Sequence, residues 1–218
     1  MPRAVYDEIA DWYAEYVTGG VSGFTARAEQ TLRQALGPGS GVCLDLACGT
    51  GVFTATVREL GWSPIGVDIS AGQLRHASGE LPVVQADTTA LPVRATSVDA
   101  VTAVLCHTDV DDYAGLVRSA ARVLVQGGRF VHVGVHPCFT GAFADRSVPD
   151  RVVISPGYWQ RERRFDIWSP EGVRARVGAT HLPLSDLIAT VIGAGLVLDE
   201  VIEAGEIPDL LALRAHRP

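Results

Sequence analysis

The chain has 218 residues, 47% of them apolar and 20% charged, and a formal net charge of −7. This composition suits a globular protein of about one domain. The 18 basic residues are scattered, and the densest run (Arg161, Arg163, Arg164) is broken by Glu162. Without a basic face, the phosphate attraction that supports nucleic-acid binding is missing, so small-molecule chemistry is favoured.

Residues 6–17 set Tyr6, Ile9, Tyr13 and Tyr16/Val17 at helical spacing and predict a short amphipathic helix. A second helix is expected from about Ser22 to Leu36, with Phe24, Ala28, Leu32 and Ala35 as its apolar stripe. Gly37-Pro38-Gly39-Ser40-Gly41 ends it. The chain then alternates. Strand-like runs fall at Val42–Leu46, Ile65–Asp68, Val83–Gln85, Val98–Leu105 and Arg129–Val135, with helical patterns at about 52–60, 70–77 and 111–124 between them. Leu60-Gly61 and Gln126-Gly127-Gly128 read as helix stops. Near-continuous apolar strands alternating with helices indicate a parallel sheet covered on both faces. Residues 137–182 break the rhythm with four prolines and several aromatics, and are expected to fold as a lid over the sheet's C-terminal edge. A helix from about Ser185 to Ala194 follows, then strands Leu196–Ile202 and Leu210–Arg214.

The N-terminus carries acids and no continuous apolar core, so neither a signal peptide nor an anchor is expected there. The tract near Ile188 to Leu198 is too short and Gly-rich to span a bilayer. Cys43, Cys48, Cys106 and Cys138 show no C-x-x-C spacing. A cytoplasmic protein with no membrane partner is the expectation.

The most informative stretch is VCLDLACGTG, residues 42–51. An apolar strand ends in Asp45 and opens into a loop with Gly49 and Gly51 before a helix begins. Glycine lets bare backbone approach a ligand there. The dinucleotide spacing G-x-G-x-x-G is not met, because Gly49 and Gly51, which follow Ala47, have Thr54 where the third glycine would stand. A nucleoside-bearing ligand without a pyrophosphate fits this loop better, although strand–Gly–helix turns also occur with no ligand.

Taken together, YDEIADWYAEY (6–16), LDLACGTG (44–51), GVDIS (66–70) with Gln73, Leu74 and Ala77, QADTTALP (85–92), SVDAV (97–101), RVLVQGGRFVHVG (122–134) and residues 181–203 resemble the class I S-adenosylmethionine-dependent methyltransferases. The likeness is strongest to their small-molecule members, the type 11 family, and leaves only about 137–180 uncovered. The resemblance implies a Rossmann-like three-layer α/β sandwich in one domain spanning 1–218. Its seven-stranded, mostly parallel sheet would have the last strand antiparallel, with a helical cap over 1–37 and the lid after the fifth strand. It implies S-adenosyl-L-methionine as cofactor. Asp45 would order the first loop, and Ala47, Gly49 and Gly51 would bring backbone to the methionine end. Asp68 would take the ribose hydroxyls, Ile69 would pack on adenine, and Asp87 and the Thr88 amide would reach its edge. Tyr13 would close over the cofactor. Asp68 as a helix cap, Asp87 as a turn former and Tyr13 as plain packing are the structural alternatives.

Methyl transfer from a sulfonium asks mainly for proximity and alignment, with a base only where the nucleophile must lose a proton. His107 after the fourth strand, His136 after the fifth and His181 beyond the insertion are the candidates, each with an ordinary structural reading beside it. His132 lies inside a strand and reads as structural. Asp109, Asp111 and Asp112 read as an acid-rich helix start, and no metal site is expected. Tyr158, Trp159 and Trp168 offer an apolar substrate wall, satellite core or a partner surface. The expected activity is methylation of an O or N atom of a small molecule, by preference a specialised metabolite. A protein that uses the cofactor structurally, and a nicotinamide-dependent oxidoreductase, are the alternatives.

Overall fold

The computed structural model describes residues 4–18, 22–165 and 172–218. A 3-10 turn Val5–Ile9 leads into α1 (Ala10–Thr18), then α2 (Ser22–Leu36), β1 (Val42–Leu46), α3 (Thr54–Glu59), β2 (Ser63–Asp68), α4 (Ala71–Ala77) and β3 (Val83–Gln85). A second 3-10 turn, Thr88–Ala90, precedes β4 (Val98–Val104), α5 (Tyr113–Val123) and β5 (Leu124–Val135). Beyond these come β6 (Ala144–Asp145), β7 (Val153–Ile154), α6 (Val173–Val177), α7 (Leu184–Gly193), β8 (Val197–Ala204) and β9 (Leu210–His216).

Seven strands form one sheet in the order β3-β2-β1-β4-β5-β9-β8. Pairing is parallel from β3 through β5, and β9 runs antiparallel to both its neighbours. The expected mostly parallel, Rossmann-like sheet with a reversed last strand is therefore what forms. Alternation along the strands builds two cores. Leu44, Leu46, Val101, Phe130, Leu211 and Leu213 face α5 and α7, whose Leu116, Val117, Leu187 and Val191 are buried against them. Cys43, Ala100, Val131, Val133 and Ala212 face the other way, onto Leu32, Ala35 and Leu36 of α2 and Val57 of α3.

Most boundaries lie within two residues of the sequence reading, and two differ in kind or by more. The first helix opens as a 3-10 turn, where the Asp7 carboxylate accepts from the Ala4 N–H and holds the entry tight. β5 begins at Leu124, ahead of Arg129, because Leu124 is already extended (ψ 141°) and ends α5. Gln126-Gly127-Gly128 thus falls within the strand, where the register against β4 shifts and Gly127 takes φ 72°.

The insertion after β5 packs across the carboxyl ends of the strands. The Thr180 N–H donates to the Thr108 carbonyl (2.9 Å), and Arg163 donates to the Asp109 carbonyl (2.8 Å) just beyond β4. Arg146 reaches the Ile207 carbonyl before β9 (3.2 Å). Trp168, one of the expected wall residues, lies outside the described residues. Among the described residues no helix is long and apolar enough to cross a membrane.

Candidate functional site

The strand order brings the ends of β2, β1, β4 and β5 side by side, and the chemistry-bearing residues collect along that edge. The first loop turns through three left-handed residues, Ala47 (φ 54°), Gly49 (φ 55°) and Gly51 (φ 79°). Ala47 carries a side chain in a conformation that L-residues seldom adopt, so the surrounding packing holds it there. Both oxygens of Asp68, at the end of β2, accept backbone N–H groups, one from Gly49 (2.9 Å) and one from Ser70 (2.8 Å). The carboxylate therefore ties loop to strand, with the Ile69 backbone as a further donor beside it. Burial pushes its pKa up, against the pull of these backbone donors. Asp45 is 2% exposed and accepts from the Thr102 hydroxyl (2.9 Å) on β4. Burial raises its pKa to about 7.

Beside the loop is a deficit of hydrogen bonds. The side-chain amide of Gln73 is buried with neither its nitrogen nor its oxygen partnered, and Thr50 Oγ1 and Thr54 Oγ1 are buried and unpartnered too. The amide oxygen lies 3.7 Å from where a side-chain carbon on Gly49 would stand, and nothing else crowds that position. Buried polar atoms in native proteins are paired, so four orphans at one loop mark the place of a polar ligand. Such a rim, with a diol-sized carboxylate at one end, fits an adenosyl amino acid. Gln73 was legible only as part of a motif; no spacing rule shows that its amide turns inward.

Ile69 is half-buried next to Asp68. Asp87 is exposed and caps the turn Thr88–Ala90, its Oδ1 accepting from both the Thr89 N–H (2.8 Å) and the Thr89 hydroxyl (2.7 Å). Thr88 beneath it is buried. The N-terminal segment closes over this edge. Asp7 accepts from the Ser70 hydroxyl (2.6 Å) and the Gly72 N–H (2.9 Å), and the Tyr6 hydroxyl donates to Asp109 (2.9 Å) beyond β4. Tyr13 packs edge-on against Tyr6, and its phenol is driven to about 12 by burial and by the charge of Asp109. Arg174 of α6 pairs with the same Asp109, and Arg176 sits 4.1 Å over the Trp12 ring. Asp111 pairs with Arg163, and Asp112 caps α5 through the Gly115 N–H (2.7 Å). All three acids are committed to protein partners.

A hollow lies between the end of β4 and the insertion. His107, Thr108, Phe143, Arg164, Thr180 and His181 line it. The aromatic wall is Phe143, 4.9 Å from the His181 ring; Tyr158 packs edge-on against both with its hydroxyl accepting from the Leu184 N–H, and Trp159 is exposed. Of the three candidate histidines, His107 and His181 face this cleft. Burial lowers each to about 4, so both are neutral at physiological pH. His136 is buried with both ring nitrogens engaged, Nε2 with Glu203 (2.7 Å) and Nδ1 with the Cys138 N–H (3.1 Å). That places it as a strut behind the cleft.

A family model described as a methyltransferase domain matches residues 44–132. A demethylmenaquinone methyltransferase of Corynebacterium urealyticum is 39% identical over 98 residues, 44% of this chain and 42% of that protein. One from Mycolicibacterium paratuberculosis is 40% identical over 101 residues, 45% and 44% of the two chains. The matched stretch thus spans less than half the length of these curated relatives. A crystal structure of an S-adenosylmethionine-dependent methyltransferase from Mesorhizobium loti superposes with a TM-score of 0.72 at 24% identity, covering 89% of this chain and all of that one. At that identity the likeness establishes the fold.

Proposed function

From the match of residues 44–132 to a methyltransferase-domain family and the shared fold, we propose that the chain is a class I S-adenosylmethionine-dependent methyltransferase of the type 11 branch, transferring a methyl group from S-adenosylmethionine to an O or N atom of a small molecule, by preference a specialised metabolite. The observation that carries this reading is the buried, unpartnered Gln73 amide beside the open side of Gly49, one edge away from a separate histidine-lined cleft.

On this reading the Asp68 carboxylate, which can accept about four hydrogen bonds, takes the ribose hydroxyls beside its backbone donors. Ala47, Gly49 and Gly51, ordered by Asp45, present backbone to the amino-acid end, and Ile69 covers adenine. Oδ1 of Asp87 is taken by Thr89, so Oδ2 is the oxygen left for the adenine amino group, with the Thr88 amide beside it. Tyr13 shuts the edge from water. Bound S-adenosylmethionine supplies a methyl group already activated on sulfur. The work of this chain is then alignment and desolvation of the acceptor, by Phe143 and the neutral rings of His107 and His181. His136 acts as support. The free thiols suit a cytoplasmic setting.

The names of the relatives favour demethylmenaquinone as a second acceptor to assay. Thermal melts with S-adenosylhomocysteine and with NAD test the cofactor: stabilisation by the first alone is expected, and stabilisation by NAD alone would return the chain to the oxidoreductases. Transfer of labelled methyl to a panel of phenols, amines and demethylmenaquinone then separates an enzyme from a protein that only binds the cofactor.

A further inference from the structure

The turn after β4 brings His107 to the cleft, and the two residues that follow hold the insertion by their main chain. The Thr108 carbonyl accepts from both the N–H (2.9 Å) and the hydroxyl (3.0 Å) of Thr180. The Asp109 carbonyl accepts from one terminal nitrogen of Arg163 (2.8 Å). The other terminal nitrogen of Arg163 donates to the Val177 carbonyl (2.9 Å) at the end of α6. The short helix α6 is thereby set against the turn that carries His107.

The Asp109 carboxylate reaches further than the carbonyls do. Its Oδ1 accepts from Arg174 of α6 (2.5 Å) and from the Tyr6 hydroxyl (2.9 Å), and its Oδ2 from the Thr108 hydroxyl (3.2 Å). One oxygen atom thus joins the insertion to the N-terminal cap. The ion pair is largely shut from water, with side-chain exposures of 12% for Arg174 and 16% for Asp109. Losing one partner leaves the other a poorly solvated charge, and water admitted by a departing Tyr6 weakens the pair. A neighbouring contact repeats the junction: Arg176, two residues along α6, lies 4.1 Å over the Trp12 ring of α1.

On the far side of Tyr6 the bonds continue to the cofactor edge. Its neighbour Asp7 accepts from the Ser70 hydroxyl (2.6 Å), and the Ser70 N–H donates to Asp68 (2.8 Å). An unbroken run of hydrogen bonds and chain neighbours therefore leads from Asp68 through Ser70, Asp7, Tyr6 and Asp109 to Arg174. Such a run links two sites only where the elements it joins seat and unseat together, and a shared oxygen imposes that condition. We propose that Asp109 is a positioning residue that couples the cap to the insertion, so that the cofactor edge and the cleft close as one unit. A ligand held beneath the cap at Asp68 then draws the insertion in around His107, and binding of the cofactor orders the acceptor cleft. The coupling itself needs only the bonds above; it rests on the S-adenosylmethionine reading in naming that ligand.

Hydrogen–deuterium exchange of the full chain tests it. Without ligand, Tyr6→Phe, which removes a single oxygen from the cap, is expected to speed exchange in residues 173–182 of the insertion about 10-fold. Arg174→Met is expected to do the same to residues 4–18. Arg161→Met, which breaks the pair with Asp186 elsewhere on the insertion, is expected to leave 4–18 unchanged. Variants that loosen only their own segment, or Arg161→Met acting on 4–18 as strongly as Arg174→Met, would overturn the coupling. Unchanged exchange in β4 shows an intact fold, and should Arg174→Met unfold the chain, the milder Tyr6→Phe decides alone. Added S-adenosylhomocysteine is expected to slow both 48–54 and 173–182 in the native chain, but only 48–54 in Tyr6→Phe. Slowing of 173–182 that survives in Tyr6→Phe refutes the route through Asp109. Failure of the S-adenosylhomocysteine melt would remove the cofactor reading, and the ligand-free exchange would still decide the coupling.

Discussion

The edge formed by β1, β2 and the loop after β1 and the cleft roofed by residues 137–182 solve recognition differently. The first is built from main chain and two carboxylates, with Asp45 and Asp68 buried in the sheet and their partners only one strand away. The second is built from side chains of distant origin, with His107 from the turn after β4 meeting Phe143 and His181 of the insertion. A cofactor shared by many enzymes suits a scaffold of backbone groups, whereas an acceptor that varies suits exchangeable side chains on a loop. The edge should therefore be sensitive to charge and the cleft to shape.

The largest effect expected concerns Asp45. Its folded pKa of about 7 lies above the ordinary 3.8, so the folded protein holds a proton that the unfolded chain has released between those values. The associated stability is complete below the unfolded pKa and is lost as the pH rises through 7. Urea unfolding should show the native protein losing on the order of 3–4 kcal/mol relative to Asp45→Asn across that window. Comparing with the variant is needed because His107 and His181, with lowered pKa values, gain stability as the pH rises from 4 to 6.5. A flat difference would break the claim that the edge is charge-sensitive. Next comes Asp68→Ala, expected to weaken S-adenosylhomocysteine binding about 100-fold by calorimetry through loss of charge-assisted bonds. Unchanged affinity would move the ribose elsewhere.

On the cleft side the effects are smaller. Phe143→Ala should raise the acceptor KM about 10-fold while leaving S-adenosylhomocysteine affinity unchanged. A loss of both would mean that the two regions are one site. Least is expected of Asp111→Ala. Its partner Arg163 also holds two backbone carbonyls, and the carboxylate is 85% exposed, so the cost should be under about 0.5 kcal/mol by thermal melt.

The same contrast explains what could be read in advance. β1 and β3 fall on the residues their apolar runs marked, and the Gly49–Asp68 edge follows from short local motifs. His107 and His181 could be picked because each stands at the end or entry of a regular element. Phe143 could not be singled out among the aromatics of 137–182, since what distinguishes it from exposed Trp159 is packing between segments far apart in the chain. His132 reads as an inward-facing strand residue, and so it is. Nothing local to it reveals that Tyr113, 19 residues earlier on another element, would claim its Nδ1.

One feature of the N-terminus bears on timing. Asp7 is fastened to Ser70 and Gly72 on one bank of the cofactor edge, while its neighbour Tyr6 is fastened to Asp109 on the other. Spent cofactor leaving by way of Asp68 would have to wait for those moorings to slip. Release would then be paced by these two tethers, and strengthening their grip would slow it without touching a reacting atom.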